Sequence, residues 1–494
     1  MKKLAYIATI AGSMFLTTSC VDLTQEPQSF ITEEEYIASM DLTGLQQAAT
    51  ALYNDLWNGN YGFNCRLQRI NVCSDDIIYR AAKANNELAN YYRLTPNITA
   101  NNADFDTTWK LFYTVINNSN KLINKVVLPG DATKAKQFEE VLGEAYFLRG
   151  LSYFYLARMY GDVPLILKEE DASTYMPRTA VAEIYDQAVI PSLTRAVELL
   201  PTKSRTGFSS APSKWAAKAC LADAYMTMAG WPLKRGQEYY SAAAAKDIID
   251  NSGLYLTQEY AELWKEANKA QANEVMFAIH HNAKLKTASN YGKSYYPVDF
   301  GLNAGWADYY ANEAFFLNYP DDERKAWNYM TEWDTKTGHV TYKESQDKLP
   351  AISKYYDYNE GAAGKSAQAN GITCIYRYAD VLLMYAEAST RATNSVNAQA
   401  LDAIQKVQKR AGYADNQLTT TTDPTAFTTA VFNERGWEFF AEMKRWFDLV
   451  RLEKVSEVRA ETWNGSLFQR NNHYYFPIPY QQIELAQWTN NAGY

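Results

Sequence analysis

The sequence predicts a mostly α protein: four helix pairs forming a scaffold, joined to a large, irregular, loop-rich half with little strand. Three observations predict it. Apolar residues recur at helical spacing through both ends of the chain. Small residues fall at helical positions inside those stretches, where they let neighbouring helices approach closely. Residues 251–375 lose the period and fill instead with glycine, asparagine and aromatic residues.

The first pair is expected at about Glu34–Leu56 and Asp104–Val127. From Phe138 the apolar series Val141, Leu142, Ala145, Leu148, Ser152, Tyr155, Leu156, Met159 follows the i, i+3, i+4 pattern. Tyr146, Phe147, Tyr153, Phe154 and Tyr160 cover the other sides, so this helix should be buried between neighbours until Gly161 and Pro164 end it. Its partner is expected at about Ala180–Leu199. Pro212–Ala229 pairs with about Gly236–Ile249, and Tyr376–Arg391 with about Asn397–Arg410. Paired helices of this size resemble irregular tetratricopeptide repeats. A further helix should carry Glu434, Arg435, Glu438, Glu442, Arg445, Asp448 and Arg451, with Glu442–Arg445, Arg445–Asp448 and Asp448–Arg451 as i, i+3 ion pairs. Within 251–375, Val275–His280 is expected as a short strand, and insertions of this size between scaffold helices are where binding surfaces tend to sit.

Composition narrows function. Aromatic residues make up 14% of the 494 residues, and tyrosine (38) nearly doubles phenylalanine (20). A buried phenol needs a hydrogen-bond partner, so surplus tyrosine suits surfaces that stack on polar ligands. The net charge is −8, and without Lys2 and Lys3 it is −10. With no basic run either, the chain is a poor binder of phosphate backbones, and nucleic acid is not an expected partner.

The first twenty residues read as an address. Lys2 and Lys3 precede an apolar run, Leu4–Leu16, too short to span a bilayer, which needs about 20 residues. The run ends in Thr17-Thr18-Ser19-Cys20, which resembles a bacterial lipoprotein box. On that reading residues 1–19 are a signal peptide, Cys20 carries the lipid anchor, and Val21–Phe30 is a tether. The alternative is ordinary signal cleavage with an incidental cysteine. Cys65 and Cys73 are candidates for a disulfide in an oxidising compartment, while Cys220, in an Ala-rich helical pattern, reads as core.

Enzyme chemistry finds little support. His280 and His281 are adjacent and would point to opposite faces of a strand, no histidine stands at metal spacing beside a cysteine, and no nucleotide or hydrolase fingerprint occurs. No cofactor or metal is expected. Asp75/Asp76, Asp321/Asp322/Glu323 and Asp334 could supply a glycosidase pair by residue type, but solvated charges and helix caps explain them as well.

Several stretches resemble one family. Leu142–Leu165 reads LGEAYFLRGLSYFYLARMYGDVPL; Tyr376-Arg377-Tyr378-Ala379-Asp380-Val381-Leu382-Leu383 opens a second block. Glu434, Arg435, Glu442, Arg445, Trp446, Asp448, Leu449 and Arg451 carry a third, and Phe476-Pro477-Ile478-Pro479 through Gly493-Tyr494 a fourth. In that order they resemble the SusD/RagB family, with Asn490 and Ala492 standing where glutamine and proline are usual. The resemblance implies a non-catalytic, lipid-anchored protein on the surface of a Gram-negative outer membrane. It implies a SusD-like domain over 20–494, with scaffold at about 34–250 and 376–454 and a ligand-binding insertion at about 251–375. It further implies capture of an oligosaccharide or polysaccharide and its delivery to a SusC-like TonB-dependent transporter. A peptide ligand, as in RagB, is the alternative, and a surface hydrolase or a ligand-free adaptor are more distant ones. The ligand arc is expected from the loop after Ser74-Asp75-Asp76 (Tyr79, Arg80, Asn86, Tyr91, Tyr92) and from Tyr291, Tyr295, Tyr296, Trp306, Tyr309 and Tyr310. Trp306, between Gly305 and Ala307, is the leading candidate.

Overall fold

The longest helix, Ala132–Tyr160, runs through the middle of the scaffold. Asp131 caps it by accepting from the Lys134 amide at 2.9 Å, and it ends at Gly161. Phe147, Leu148, Tyr153 and Phe154 are all buried, as an all-round apolar helix requires. Ala103–Lys125 packs on one side and Ile190–Leu199 on another. Gly150 makes the second contact feasible, since a Cβ there would lie 2.8 Å from the Leu193 side chain. The computed structural model describes residues 31–56, 72–80, 86–94, 98–173, 175–270, 273–285, 287–301, 305–355, 370–463, 468 and 474–494.

The remaining helices follow the expected order with local differences. The first stretch is two helices, Glu33–Ala38 and Leu42–Asp55, because Asp41 caps a new start by accepting from the Gly44 amide. Lys214–Ala229 packs against Glu238–Ala242, where the expected single helix is broken by a 3-10 turn, Ala243–Ala245, before Lys246–Asn251. Tyr378–Thr393 packs against Ala398–Arg410. Cys73, Cys220 and Cys374 are buried free thiols, whereas Cys20 and Cys65 lie outside the described residues.

Between Asn251 and Ile372 the described chain forms short helical turns and short strands. Val275–His280 is a strand as expected, but its antiparallel partner is Ile372–Arg377, with Val275 opposite Arg377 and His280 opposite Ile372. The helix expected from Tyr376 therefore starts at Tyr378. Ile372–Arg377 is buried on both faces, so it carries no alternation that periodicity could detect. Smaller ladders join Ile77–Tyr79 to Tyr309–Ala311, Tyr329–Met330 to Ala351–Ile352, and Glu332–Asp334 to His339–Thr341.

A buried ionic network ties this region to the C-terminal helices. Arg377 meets Glu274 at 2.8 Å, Glu442 at 2.8 Å, and Glu438. Arg324 meets Asp322 at 2.7 Å, Glu434 at 2.6 Å and Glu438 at 2.8 Å, while Lys354 meets Glu442 at 2.7 Å. Charges this deep are tolerated only when paired and hydrogen-bonded. The network also corrects the single helix expected over 434–451. Pro424–Glu438 stops at Phe439, Ala441 and Met443 adopt positive φ, and a new helix runs Arg445–Arg451. Asp448–Arg451 survives as an i, i+3 pair at 2.9 Å, but Glu442 turns to Arg377 and Lys354, and Arg445 to Asp75.

Candidate functional site

A three-residue ribbon organises the site. Ile77–Tyr79 pairs antiparallel with Tyr309–Ala311, Tyr79 opposite Tyr309, and the Arg80 amide extends the ladder to the Asp308 carbonyl at 3.1 Å. The two segments singled out in the sequence, the one after Asp76 and the one ending at Tyr310, thus lie side by side.

Trp306 projects from a tightly braced loop. Its amide donates to the Lys293 carbonyl at 2.8 Å, the Asp308 amide to Ser294 at 2.8 Å, and the Gly305 amide to Pro297 at 3.0 Å. Gly305 lies so close to Tyr296 that a Cβ would sit 2.0 Å from the Tyr296 carbonyl oxygen. The glycine is required for that approach, and not merely to leave the indole uncovered. Trp306 is 36% exposed, and the Lys293 ammonium stands 5.5 Å from its ring centre.

The tyrosines around it are placed differently from expectation. Tyr79 (2% exposed), Tyr295 (1%), Tyr296 (1%) and Tyr309 (4%) are core residues. Tyr295 stacks on Tyr355 at 5.8 Å and 17° and meets Tyr309 at 5.8 Å; Tyr296 packs on Phe300 at 5.3 Å. These rings form the bed under the loop, and in this structure their faces are not presented outward. Tyr91 is buried against Phe105. Tyr92 is half-buried, with the Arg459 guanidinium 4.9 Å from its ring. Asn86 and Tyr291 begin the helices Asn86–Arg93 and Tyr291–Tyr295; their side chains lie outside the described part of the structure.

Arg80 is nearly buried and fixed. Its Nε donates to Asp347 Oδ1 at 2.8 Å, and the Tyr310 hydroxyl donates to Asp347 Oδ2 at 2.7 Å. Burial, then the Asp347 carboxylate, push the Tyr310 hydroxyl well above the ordinary phenol range. Asp347 and Lys293 were not singled out as site residues, because neither stands in a motif and only the fold brings Asp347 to Arg80. Four of the carboxylates considered for hydrolysis, Asp75, Asp76, Asp322 and Asp334, are engaged elsewhere. Asp75 pairs with Arg445 at 2.7 Å, Asp322 caps Glu323–Asn328, and Asp334 meets His339 at 2.9 Å. Asp76 accepts from Ser74 and from the Ala441 amide at 3.2 Å; burial is the main cause that pushes its carboxyl up to about 6. Among the described residues no histidine, cysteine and carboxylate cluster could hold a metal ion, and no helix is long and apolar enough to cross a membrane.

A paired-helix scaffold bearing a loop-built surface, with one outward indole over a bed of tyrosines, defines the architectural class. The chain belongs to the SusD/RagB family: residues 260–494 match the SusD family profile, and residues 29–226 match a profile described as starch-binding associating with outer membrane. It is 26% identical over 532 residues to SusD-like protein P2 of Formosa agariphila, covering 100% of both chains. A SusD superfamily protein from Parabacteroides distasonis has a TM-score of 0.78 at 23% identity, covering 94% of this chain and 100% of that one. Surface glycan-binding protein A from Bacteroides thetaiotaomicron, solved in complex with laminarihexaose, has a TM-score of 0.72 at 20% identity, covering 91% and 99%.

Proposed function

We propose that this protein is a non-catalytic, lipid-anchored protein of the outer-membrane surface that captures an oligosaccharide at Trp306 and hands it to a SusC-like TonB-dependent transporter. One observation carries the capture step: an exposed indole, with the Lys293 ammonium at its ring, is held on a braced loop that pairs through Asp308 with the Arg80 backbone, above buried tyrosines. An indole face packs on the apolar C–H face of a sugar ring, while guanidinium and ammonium groups donate to its hydroxyls. Because Asp347 already fixes Arg80 and backbone hydrogen bonds already fix the Trp306 loop, little ordering entropy is lost on binding at these two residues. The family's outer-membrane description and the solved neighbour holding laminarihexaose support this reading. Cys20 as anchor after a 1–19 leader, scaffold at 34–250 and 376–454, and an insertion at 251–375 complete it.

The test is calorimetry of the purified protein against a glycan panel and a peptide panel, with Trp306→Ala alongside. Heat with a glycan that Trp306→Ala removes is the expected result. Heat with peptides alone replaces the ligand class, and sugar release by pure protein would overturn the non-catalytic reading. Co-purification with the transporter and lipid labelling that fails in Cys20→Ala test the remaining steps.

A further inference from the structure

A second pocket opens at the other end of the ribbon. Arg80 and Asp308 mark the Trp306 end; at the opposite end the Asn312 amide donates to the Asp76 carbonyl at 2.9 Å. The intervening strand spans roughly 13 Å, at about 3.3 Å per residue. Beside Asn312 lies a cavity of about 330 Å³ whose lining includes Asp75, Phe315, Asn318, Asn433, Trp437 and Arg445. That volume is near the lower end of small-molecule sites, about 300–1,000 Å³, and suits a sugar unit or two.

Its chemistry is that of a neutral, hydroxyl-rich ligand. Asn433 and Trp437 stand one helical turn apart on Pro424–Glu438, so they share a face, while Glu434 and Glu438 turn into the buried network. Across the cavity the helix Glu313–Asn318 supplies Phe315 and Asn318. Phe315 is backed by Phe440, stacked at 6.1 Å and 21°. The charged pair Asp75–Arg445 is internally neutralised and already hydrogen-bonded, so it offers no net charge to a ligand. Neither the Asn318 and Asn433 carboxamides nor the Trp437 Nε1–H is engaged by any other described residue. Two carboxamides, each both donor and acceptor, beside an indole and a phenyl ring match the alternating hydroxyls and C–H faces of a sugar.

We propose that this cavity is a second glycan-binding site, independent of Trp306; the ligand class rests on the capture function proposed above. The test follows the indole Nε1–H resonances of Trp306 and Trp437, assigned from Trp306→Phe and Trp437→Phe, in the full-length soluble protein. The probes are laminarihexaose, maltohexaose, xylohexaose and mannohexaose. Both resonances should move with one and the same hexasaccharide. Asn433→Ala and Asn318→Ala, at exposed positions that do not support the core, should weaken the Trp437 titration about three- to tenfold and leave that of Trp306 unchanged. Movement of Trp306 alone overturns the second site and leaves the first. Movement of Trp437 alone keeps the second site and overturns the Trp306 assignment. A Trp437 shift indifferent to both asparagine variants also overturns the second site, and movement of neither resonance with any probe overturns both readings.

Discussion

Arg445 holds Asp75, 370 residues earlier in the chain, through two parallel bonds: Nε to Oδ1 at 2.7 Å and Nη2 to Oδ2 at 2.9 Å. Asp75 directly precedes Asp76 and the strand Ile77–Tyr79, and Arg445 begins the helix Arg445–Arg451. The pair therefore fastens the ribbon under the candidate site to the C-terminal helices. Asp75→Asn leaves a buried guanidinium without its counter-charge, and removing one partner of a buried pair costs about 3–5 kcal/mol. Urea unfolding should show a loss of that size. The double variant Asp75→Leu/Arg445→Met should lose less than the two single variants added together, since it leaves no orphaned charge.

Gly305→Ala puts a methyl group where 2.0 Å separates the ideal Cβ from the Tyr296 carbonyl oxygen. Backbone on both sides must move, so the loop that braces Trp306 loosens. Overpacking of this kind costs about 1–3 kcal/mol. Near-UV circular dichroism should lose part of its tryptophan signal, and glycan affinity should fall with it. Unchanged binding would separate the indole's position from the Gly305–Tyr296 contact.

Asp347 joins two elements of the site, accepting from Arg80 and from Tyr310. Asp347→Ala frees the guanidinium and strands the Tyr310 hydroxyl in a buried position, a cost of about 1–3 kcal/mol. The expected binding effect is larger than the loss of a contact, because Arg80 must then be ordered by the ligand itself. Glycan affinity should drop about tenfold in calorimetry, with a less favourable binding entropy. Asp347→Asn keeps one acceptor and should restore part of it.

The scaffold was legible because its helices carry their burial pattern locally: Phe147, Leu148, Tyr153 and Phe154 lie within one turn or two of each other. The strand Val275–His280 was legible for the same reason, but its partner Ile372–Arg377 is buried on both faces and reads like the start of the next helix. Asp448–Arg451 forms as expected, but the two pairs expected through Arg445 do not, because i, i+3 spacing assumes one continuous helix and the break at 439–444 sends Glu442 and Arg445 to partners far away in sequence. At the candidate site, the two segments singled out in the sequence pair with each other, but most of their tyrosines face inward. Trp306 and Tyr296 stand in the same aromatic stretch, and which ring is outside follows from contacts between its two ends, the close approach of Gly305 to Tyr296 and the loop's backbone hydrogen bonds, that spacing does not reveal. Nothing local to Asn433 and Trp437 in the sequence reveals the cavity that they line with Phe315 and Asn318.

His281 should give the fold a distinct acid sensitivity. It is buried, its Nδ1–H donating to the Thr287 carbonyl at 3.0 Å while Nε2 accepts from the Thr373 hydroxyl at 2.7 Å, so both nitrogens are engaged as a neutral ring. Burial, with the Lys269 charge nearby, lowers its pKa to about 4; His280, the last residue of the strand and hydrogen-bonded to Ser209, is lowered to about 4 as well. A depressed folded pKa means that the unfolded chain takes up the proton first. Stability contributed by the neutral ring is complete above pH 6.5 and is lost as the pH falls toward 4, by about 3 kcal/mol for one such histidine. Asp76 acts in the opposite direction: with its carboxyl raised to about 6, acidification over the same interval relieves a buried charge. Unfolding free energies measured between pH 7 and 4 should therefore fall less steeply than two histidines alone require. Asp76→Asn should steepen the fall, and His281→Asn should flatten it by about one proton in the linkage slope. A slope indifferent to His281→Asn would mean that the ring is already protonated, or already exposed, in the folded protein.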